Sequence, residues 1–226
     1  NTDSTAANIS GLMQALCKQA GIHPKELQID CDWTEKSKDA YFNLLEALKR
    51  QQYFNGKTVS CTIRMHQVKY DLSCGIPPVD KGLLMCYSMG NIKKYGAHNS
   101  ILDVDEAKKY LRHLDNYRLS VDIALPVFQW CVLFREQRFR GLMHDVTPDM
   151  VVGNSLFEQT DDNLYRCKKD TVWYDHLLQK DDIVREESAS VSDLKEIAAF
   201  TTKCVKLAPM NVIFFSCDSI TLSKYP

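Results

Sequence analysis

The sequence lacks the segments that carry a nucleotide, a zinc ion or a membrane span. It has neither a Gly-x-Gly-x-x-Gly nor a Gly-x-x-x-x-Gly-Lys-Ser/Thr loop, so nucleotide binding loses its usual support. No Cys-x-x-Cys pair occurs, and no group of cysteines and histidines has zinc-finger spacing. No apolar run approaches the length of a bilayer span. We therefore expect a globular protein with no cofactor, no metal and no membrane span.

A large excess of charge is also missing. The formal net charge is −1, from 28 basic and 29 acidic residues. This balance argues against a nucleic-acid partner and against adhesion to an anionic membrane. The 226 residues can bury a substantial core, so we expect a single domain over residues 1–226. Residues 1–4 do not form a signal peptide, which leaves the compartment open because a leader can be removed.

Cysteine, by contrast, is plentiful, with nine residues. Five of them lie in strand-like runs, namely Cys31, Cys61, Cys86, Cys131 and Cys217. Free cysteine is among the most buried residue types, so we expect most of them to be reduced core residues. Reduced cysteines favour a reducing compartment. The sequence leaves the oligomeric state open.

Six apolar, strand-like runs recur along the chain, mostly separated by helical patterns. The runs are Leu27–Trp33, Val59–His66, Gly82–Met89, Ser120–Phe128, Ile183–Glu187 and Asn211–Asp218. Residues 8–20 and 38–50 have apolar stripes at helical spacing, and Ser190 with Asp193 forms a capping-box-like helix start. Strands that alternate with helices predict a parallel α/β fold.

Polar and aromatic side chains gather where these runs end, at Asp32, His66, Tyr87, Trp130, Glu186 and Asp218. A doubly wound sheet would concentrate functional groups at one switch point. A (β/α) barrel instead collects them from many strands at the mouth formed by the strand ends. We therefore predict an α/β protein of the (β/α) TIM-barrel type.

The predicted barrel is incomplete in this sequence. About six βα units can be counted, whereas a full barrel has eight units in about 250 residues. We therefore expect about two βα units in front of Asn1. An excursion at about 132–180 interrupts the alternation, with a hairpin around Glu136 and Gln137 and a short helix near residues 172–178.

The first run ends in Asp30–Trp33 (Asp-Cys-Asp-Trp), whose two carboxylates leave a strand on the same face. With the later Met85–Tyr87, this segment resembles the chitinase-type glycoside hydrolase barrels. Those proteins have an Asp-x-Asp-x-Glu strand end and, two strands later, a Met-x-Tyr-Asp strand, and the Glu is their acid catalyst. The residue at the Glu position here is Thr34, or Trp33 if the frame is shifted by one, and Glu35 lies past the motif. The residue after Tyr87 is Ser88 instead of Asp.

A second resemblance covers most of the chain. The segments Leu27–Trp33, Arg64–Tyr70, Gly75–Gly90 and Ala124–Phe134 are similar to an uncharacterised Bacteroidetes-type family of glycoside-hydrolase-like barrels. This resemblance implies the barrel fold and the missing N-terminal strands. It also implies a cell-envelope location, in contrast to the reducing compartment that the cysteines favour.

A glycosidase needs two carboxyl groups that flank the scissile bond. Asp32 is the first catalytic candidate, and Asp30, Glu186 and Asp218 are the others. Glu187 is a further candidate carboxyl group. The alternative for Asp32 is an ion pair with Arg64 or Arg185. The alternative for Glu186 is an ion pair with Arg185 or a surface lysine.

Rings and hydrogen-bonding groups at the same strand ends suit a sugar, which has apolar ring faces and polar edges. The predicted substrate-binding residues are Trp33, Arg64, His66, Gln67, Tyr87, Asn91 and Trp130. For each aromatic ring the alternative is a place in the core. For His66 it is a structural hydrogen bond.

The sequence thus predicts a carbohydrate-active barrel with a carbohydrate ligand. If the strand-end carboxylates are catalytic, it is a glycoside hydrolase of a poly- or oligosaccharide. Thr34 motivates the alternative, a non-catalytic glycan-binding or scaffold protein on a degenerate barrel. A hydrolase of phosphate or acyl substrates is disfavoured, because phosphate loops and a Gly-x-Ser-x-Gly elbow are missing. Whether the protein is an enzyme stays open at this point, as do the sugar and the linkage.

Overall fold

A computed structural model describes residues 1–206 and 210–216, which form two compact units. The first unit comprises Asn1–Met85, Lys108–Ala124 and Ala198–Ile213. The second comprises Cys86–Ala107, Leu125–Ile197 and, among the described residues, 214–216. The expectation of one domain over residues 1–226 stays a prediction. Within the described ranges, no helix is long and apolar enough to cross a membrane.

Helices and strands alternate over the first half of the chain, and strands dominate the second. The helices are α1 (Thr2–Ala20), α2 (Lys38–Lys49), α3 (Met65–Lys69), α4 (Asp71–Cys74), α5 (Val104–Leu111), α6 (Pro148–Val151) and α7 (Val191–Cys204). The strands are β1 (Glu26–Ile29), β2 (Thr58–Arg64), β3 (Lys81–Met85), β4 (Val121–Pro126), β5 (Trp130–Arg135), β6 (Arg138–Leu142), β7 (Phe157–Asp161), β8 (Leu164–Cys167), β9 (Thr171–Trp173), β10 (His176–Leu178), β11 (Ile183–Glu187) and β12 (Val212–Phe215).

A five-stranded parallel sheet has the strand order β1-β2-β3-β4-β12. Strands β1 to β4 pair in parallel, and α2 and α5 lie in the crossovers that parallel strands require. Along β4 and β12 the bonds advance in the same direction, from Ile123 N–H to Asn211 and from Val127 N–H to Phe215, so this pair is parallel too. The parallel α/β class is confirmed as a half-barrel sheet. That the barrel is incomplete in this sequence stays a prediction.

The core of the first unit follows from the near-continuous apolar runs of its strands. Ile63, Leu84 and Ile123 lie on three neighbouring strands and are fully buried. Leu45 and Leu48 of α2 are fully buried as well, one turn apart on one face of the helix. Runs of this kind are typical of strands that are covered on both faces.

The second unit is built on an antiparallel sheet with the order β6-β5-β11-β8-β7, together with the β9–β10 hairpin. Its core includes Cys131, Val151 and Val184, all fully buried. The hairpin predicted around Glu136 and Gln137 is confirmed, because both residues have the positive φ of a tight two-residue turn.

Two predictions within this unit were wrong. The run Ile183–Glu187 is β11, which pairs antiparallel with β5 and β8 and is not a strand of the parallel sheet. The local sequence misleads here because an apolar run before a helix start looks the same whichever way the strand runs. The helix predicted near residues 172–178 is the β9–β10 hairpin, with Tyr174 and Asp175 at positive φ in its turn. Five strands rather than six therefore belong to the described parallel sheet.

The predictions at the ends of elements had mixed outcomes. Ser190 and Asp193 do form the predicted capping box, since each backbone N–H donates to the other side chain. Strand β1 ends at Ile29 and β2 at Arg64, both earlier than predicted. Asp30–Trp33 therefore follows its strand, and His66 lies on α3.

The eight cysteines within the described ranges are free thiols. Cys61, Cys86 and Cys131 are buried, as predicted. Cys31 is exposed, because β1 ends two residues before it, which corrects its assignment to the core. Cys217 lies outside the described residues.

Candidate functional site

In the first unit, the two aspartates that follow β1 bind the end of β2. Asp30 Oδ1 accepts a hydrogen bond of 2.8 Å from Thr62 Oγ1, and Asp32 Oδ1 accepts one of 2.8 Å from Arg64 Nε. Asp32 Oδ2 accepts a further bond from Arg64, so the guanidinium holds the carboxylate with two nitrogens. Thr62 and Arg64 are two residues apart on β2, so their side chains share a face. Asp30 and Asp32, also two apart, can therefore contact one of them each.

The Arg64 contact sets the chemistry of Asp32. The hydrogen bonds from Arg64 lower the pKa of Asp32 from its ordinary value, burial opposes this, and the charges of Arg64 and His66 lower it further. Asp32 is therefore ionised at neutral pH and cannot donate a proton. Its side chain stays 51% exposed, so it is paired without being buried in the core.

His66 is exposed on α3, close enough to this pair to feel its charges. Burial of part of the ring lowers the pKa of His66, the Arg64 cation lowers it further, and Asp32 acts in the opposite direction. The imidazole is therefore neutral at pH 7, a state in which one nitrogen donates and the other accepts. A neutral imidazole can therefore donate a hydrogen bond to one sugar hydroxyl oxygen and accept one from a hydroxyl hydrogen.

Two of the predicted substrate-binding residues are structural. Trp33 is only 2% exposed, its Nε1–H donates to the Cys74 carbonyl over 2.8 Å, and its ring stacks on Tyr41. Gln67 is buried, accepts from the Arg64 N–H over 2.8 Å and donates to the Trp33 carbonyl over 2.9 Å. The prediction that Trp33 and Gln67 contact a sugar is corrected: both hold the chain that follows β1 and β2.

The second unit contains a cluster of four rings, which we call the aromatic platform: Tyr87, Phe128, Trp130 and Phe215. The Tyr87 and Phe215 rings stack with centroids 5.3 Å apart and an interplanar angle of 7°. Phe128 stands edge-on to both of these rings and lies 5.2 Å from Trp130. Phe215 is 49% exposed, and the other three rings are half-buried. The platform thus keeps accessible apolar surface, which a sugar ring face can cover.

A buried carboxylate lies beneath one edge of this platform. Glu187 is 1% exposed, and its Oε2 accepts a 3.0 Å hydrogen bond from Trp130 Nε1. Its Oε1 accepts a 2.6 Å bond from Arg185 Nε, and the Arg185 side chain is fully buried. Arg185 thus pairs with Glu187, whereas its neighbour Glu186 was the partner considered in the sequence analysis.

The other predicted residues of the second unit lie in less enclosed positions. Glu186 is half-buried on β11, on the face opposite to that of Glu187, and its backbone N–H donates to the Asn163 carbonyl. Asn91 is exposed, and its side-chain oxygen accepts from the Lys93 N–H over 3.0 Å. The predicted acid Asp218 lies outside the described residues.

Phe128 and Phe215 were not among the predicted site residues, and Glu187 was only a further candidate carboxyl group. One signal could have selected Glu187. Arg185 and Glu187 are two apart on a strand, so their side chains share a face, whereas Arg185 and Glu186 point to opposite faces. Pairing Phe215 with Tyr87 needed the tertiary structure, because 128 positions of sequence separate them.

The arrangement is better suited to binding than to proton transfer. Asp32 is an ion-paired carboxylate, and Thr34, at the position of the glutamate in the chitinase-type motif, has a hydroxyl that lies 3.3 Å from Ser37 Oγ. Among the residues described, no group of three His, Cys, Asp or Glu side chains could hold a metal ion.

Known proteins are similar to this chain in structure, whereas comparisons of its sequence found no match. No protein-family profile matches the chain. No curated protein is significantly similar to it in sequence. In structure, the chain is similar to a chitinase from Chromobacterium violaceum ATCC 12472 (TM-score 0.59, 10% identity, 96% of this chain and 68% of that one). It is also similar to the Bacillus cereus spore cortex-lytic enzyme SleL (TM-score 0.55, 12% identity, 92% of this chain and 48% of that one).

A third similar structure is the Ostrinia furnacalis Group IV chitinase in complex with allosamidin (TM-score 0.52, 12% identity, 93% of this chain and 66% of that one). The chain thus spans between about half and two thirds of the length of these proteins. At such low identity the likeness establishes the fold alone. That fold is the TIM-like α/β fold of chitinases and related glycosylases.

Proposed function

We propose that this protein is a glycan-binding protein on a glycoside-hydrolase-like barrel and that it does not hydrolyse its ligand. One observation carries the proposal: Arg64 holds Asp32 as an ionised carboxylate, at the strand end where the chitinase-type motif has its acids. A glycosidase needs a carboxylic acid that is protonated when it meets the glycosidic oxygen. Thr34, at the position of that acid, cannot supply the proton.

Binding of a sugar is supported by the aromatic platform. Its accessible apolar surface, largest at Phe215, can pack on a sugar ring, and the neutral His66 and the exposed Asn91 offer hydrogen-bonding groups in their own units. Two of the similar structures are chitinases, one of them in complex with allosamidin. The ligand class that fits these names is a glycan of N-acetylated hexosamines such as chitin.

Calorimetry with chitohexaose and with cellohexaose, which lacks the acetamido groups, tests the proposal. We expect chitohexaose to bind, cellohexaose to bind more weakly, and chromatography of the same samples to show no shorter products. Trp130→Ala removes a platform ring and should abolish binding, whereas Val172→Ala, on the β9–β10 hairpin, should leave it unchanged. Failure of chitohexaose and of longer chitin oligomers to bind would refute the proposal.

Hydrolysis is the second candidate, favoured by the solvent exposure of both Asp30 and Asp32. Under this alternative, chitohexaose yields shorter sugars and Asp32→Asn abolishes the products. Under the binding proposal, neither protein yields products. The Bacteroidetes-type resemblance, the cell-envelope location and the units expected before Asn1 stay predictions that neither candidate requires.

A further inference from the structure

The Glu187 carboxylate connects the aromatic platform to a loop. Besides Arg185 and Trp130, it accepts hydrogen bonds from both the backbone N–H, at 2.8 Å, and the hydroxyl of Ser100. An ionised group inside a protein needs such partners, because burying a charge without them is costly. All four residues belong to the second unit.

Arg185 binds three backbone carbonyls of the same loop. Its terminal nitrogens donate to the carbonyls of Ile92 at 2.9 Å and Lys94 at 2.6 Å, and to that of Gly96 at 3.2 Å. The guanidinium also lies over the Phe134 ring, 4.8 Å from its centroid. Arg185 and Glu187 together therefore secure residues 92–100, which we call the clamped loop. Asn91, a predicted sugar contact, directly precedes it.

A buried ion pair of this kind is a poor way to gain stability, since apolar residues of similar size often stabilise a protein as well or better. Its particular effect here is orientation. Trp130 has one polar atom, Nε1, and that atom is directed at Glu187, which lies opposite it in the register of β5 and β11. The hydrogen bond fixes the rotation of the indole, while Phe128 packs beside it.

We infer that Glu187 is a positioning residue for glycan binding, which orients the Trp130 ring and the clamped loop before the ligand arrives. This inference rests on the proposed function. A ring and a loop that are already ordered in the free protein lose less conformational entropy on binding, so the ligand is held more tightly. Glu187 itself is buried at the Nε1 edge of the ring and does not touch the ligand.

The test follows the indole N–H signals by 1H–15N NMR, with the Trp130 signal assigned by its loss in Trp130→Phe. In Glu187→Gln the side-chain amide can present N–H donors to Trp130, so the indole loses its acceptor. We expect the Trp130 signal to shift and to exchange faster with solvent, while that of Trp33 in the first unit stays in place. The Kd for chitohexaose should rise about tenfold, as expected when one side chain must be ordered on binding.

Two further variants separate positioning from folding. Val172→Ala, on the exposed side of the β9–β10 hairpin, leaves every bond of Glu187 in place, so the Kd should stay within about twofold of the original value, a range typical of mild surface changes. If Glu187→Gln unfolds, Trp130→Phe replaces it, because this variant keeps a ring and loses the hydrogen bond. It should remain folded, because Glu187 keeps its bonds to Arg185 and Ser100, and it should bind about tenfold more weakly.

The possible outcomes distinguish this inference from the proposed function. If the unaltered protein binds chitohexaose and a folded Glu187→Gln binds it equally well, the inference is overturned and the function stands. If Glu187→Gln weakens binding less in the Trp130→Phe background than in the unaltered protein, part of its effect passes through Trp130, as inferred; an equal effect in both backgrounds overturns the inference. If the unaltered protein binds no glycan, the proposed function fails, and with it the ligand role of Glu187, although the indole signal still shows whether Glu187 orients Trp130.

Discussion

Carboxylates in this protein differ in what surrounds them, and this difference decides their roles. Asp32 forms an ion pair with Arg64 and remains half-exposed. Glu187 and Asp182 are buried, and both oxygens of each accept hydrogen bonds. The surroundings of Asp32 favour the ionised form. An enclosed carboxylate instead depends on every partner it has.

Arg64→Gln should raise the pKa of Asp32 towards 3.8, its ordinary value, because the largest cause of the lowered pKa is removed. A lowered pKa in the folded state adds stability above the unfolded-state pKa, and this stability is lost as the pH falls through the folded pKa. Because Asp32 is half-exposed, the loss of stability at pH 7 should be below about 1 kcal/mol. A 13C NMR titration of the carboxyl carbon measures the pKa. Arg112→Gln, an exposed arginine, is the control, and equal curves for the two variants would contradict the assignment.

Asp182→Asn should destabilise the second unit. Asp182 is 1% exposed, both its oxygens accept 2.8 Å bonds from Arg135, and it also accepts from the Gln179 N–H. The loss of a buried charge partner should cost about 2–3 kcal/mol in urea unfolding. Asp181→Asn is the matched control, because Asp181 is exposed and asparagine tolerates its φ of 69°. Equal unfolding midpoints for the two variants would show that the Asp182 bonds do not stabilise the fold.

Among the elements, the parallel strands leave very little space between neighbours. A Cβ on Gly82 of β3 would lie 2.2 Å from Cδ1 of Ile63 on β2 and 3.4 Å from Cγ1 of Val121 on β4. Ile63 is fully buried, so its side chain has little room to move away. Close packing is therefore the reason for the glycine. A backbone requirement is excluded, since the φ of Gly82 is not in the left-handed region.

Gly82→Ala should lower the free energy of unfolding by about 1–3 kcal/mol through overpacking. Ile63→Val removes the clashing Cδ1 atom and alone should cost about 1 kcal/mol. The double variant should be more stable than the sum of the two effects predicts, as expected for residues in contact. A double-mutant cycle by urea denaturation checks this, and strict additivity would mean that the sheet accommodates the methyl group in another way.

For the whole molecule, the thiols report on how well the fold excludes solvent. Five of the eight described cysteines are buried, and they lie in both units. Burial raises the pKa of Cys61, Cys86 and Cys131 to about 12, so these thiols stay protonated at pH 8. The thiolate is the form that reacts. These residues are therefore protected twice, because the reagent cannot reach them and because they stay protonated.

Brief treatment of the native protein with iodoacetamide at pH 8 should modify Cys31 first. Cys61, Cys86 and Cys131 should react only after unfolding in guanidinium chloride. Peptide mass spectrometry with and without the denaturant measures both rates, and the unfolded sample shows that every site can be modified. Modification of Cys61 as fast as that of Cys31 in the native protein would contradict the burial of the β2 core.

Features that depend on residues close together in the chain could be predicted from the sequence alone. The hairpin at Glu136 and Gln137, the capping box at Ser190 and the alternation of helices with β1 to β4 were all legible from short patterns. The pairing of Arg64 with Asp32 could also be predicted. Arg64 ends the second strand-like run, and strand spacing directs its side chain towards the acids that end the first run.

Features that depend on residues far apart in the chain required the folded structure. The direction of β11 depends on β5 and β8, and the burial of Trp33 depends on Tyr41 and the Cys74 carbonyl. The contact between Tyr87 and Phe215 likewise joins remote parts of the chain. A residue type and its spacing indicate which face a side chain takes. What that face meets is settled when distant segments pack together, because burial and hydrogen-bond partners are properties of the packed chain.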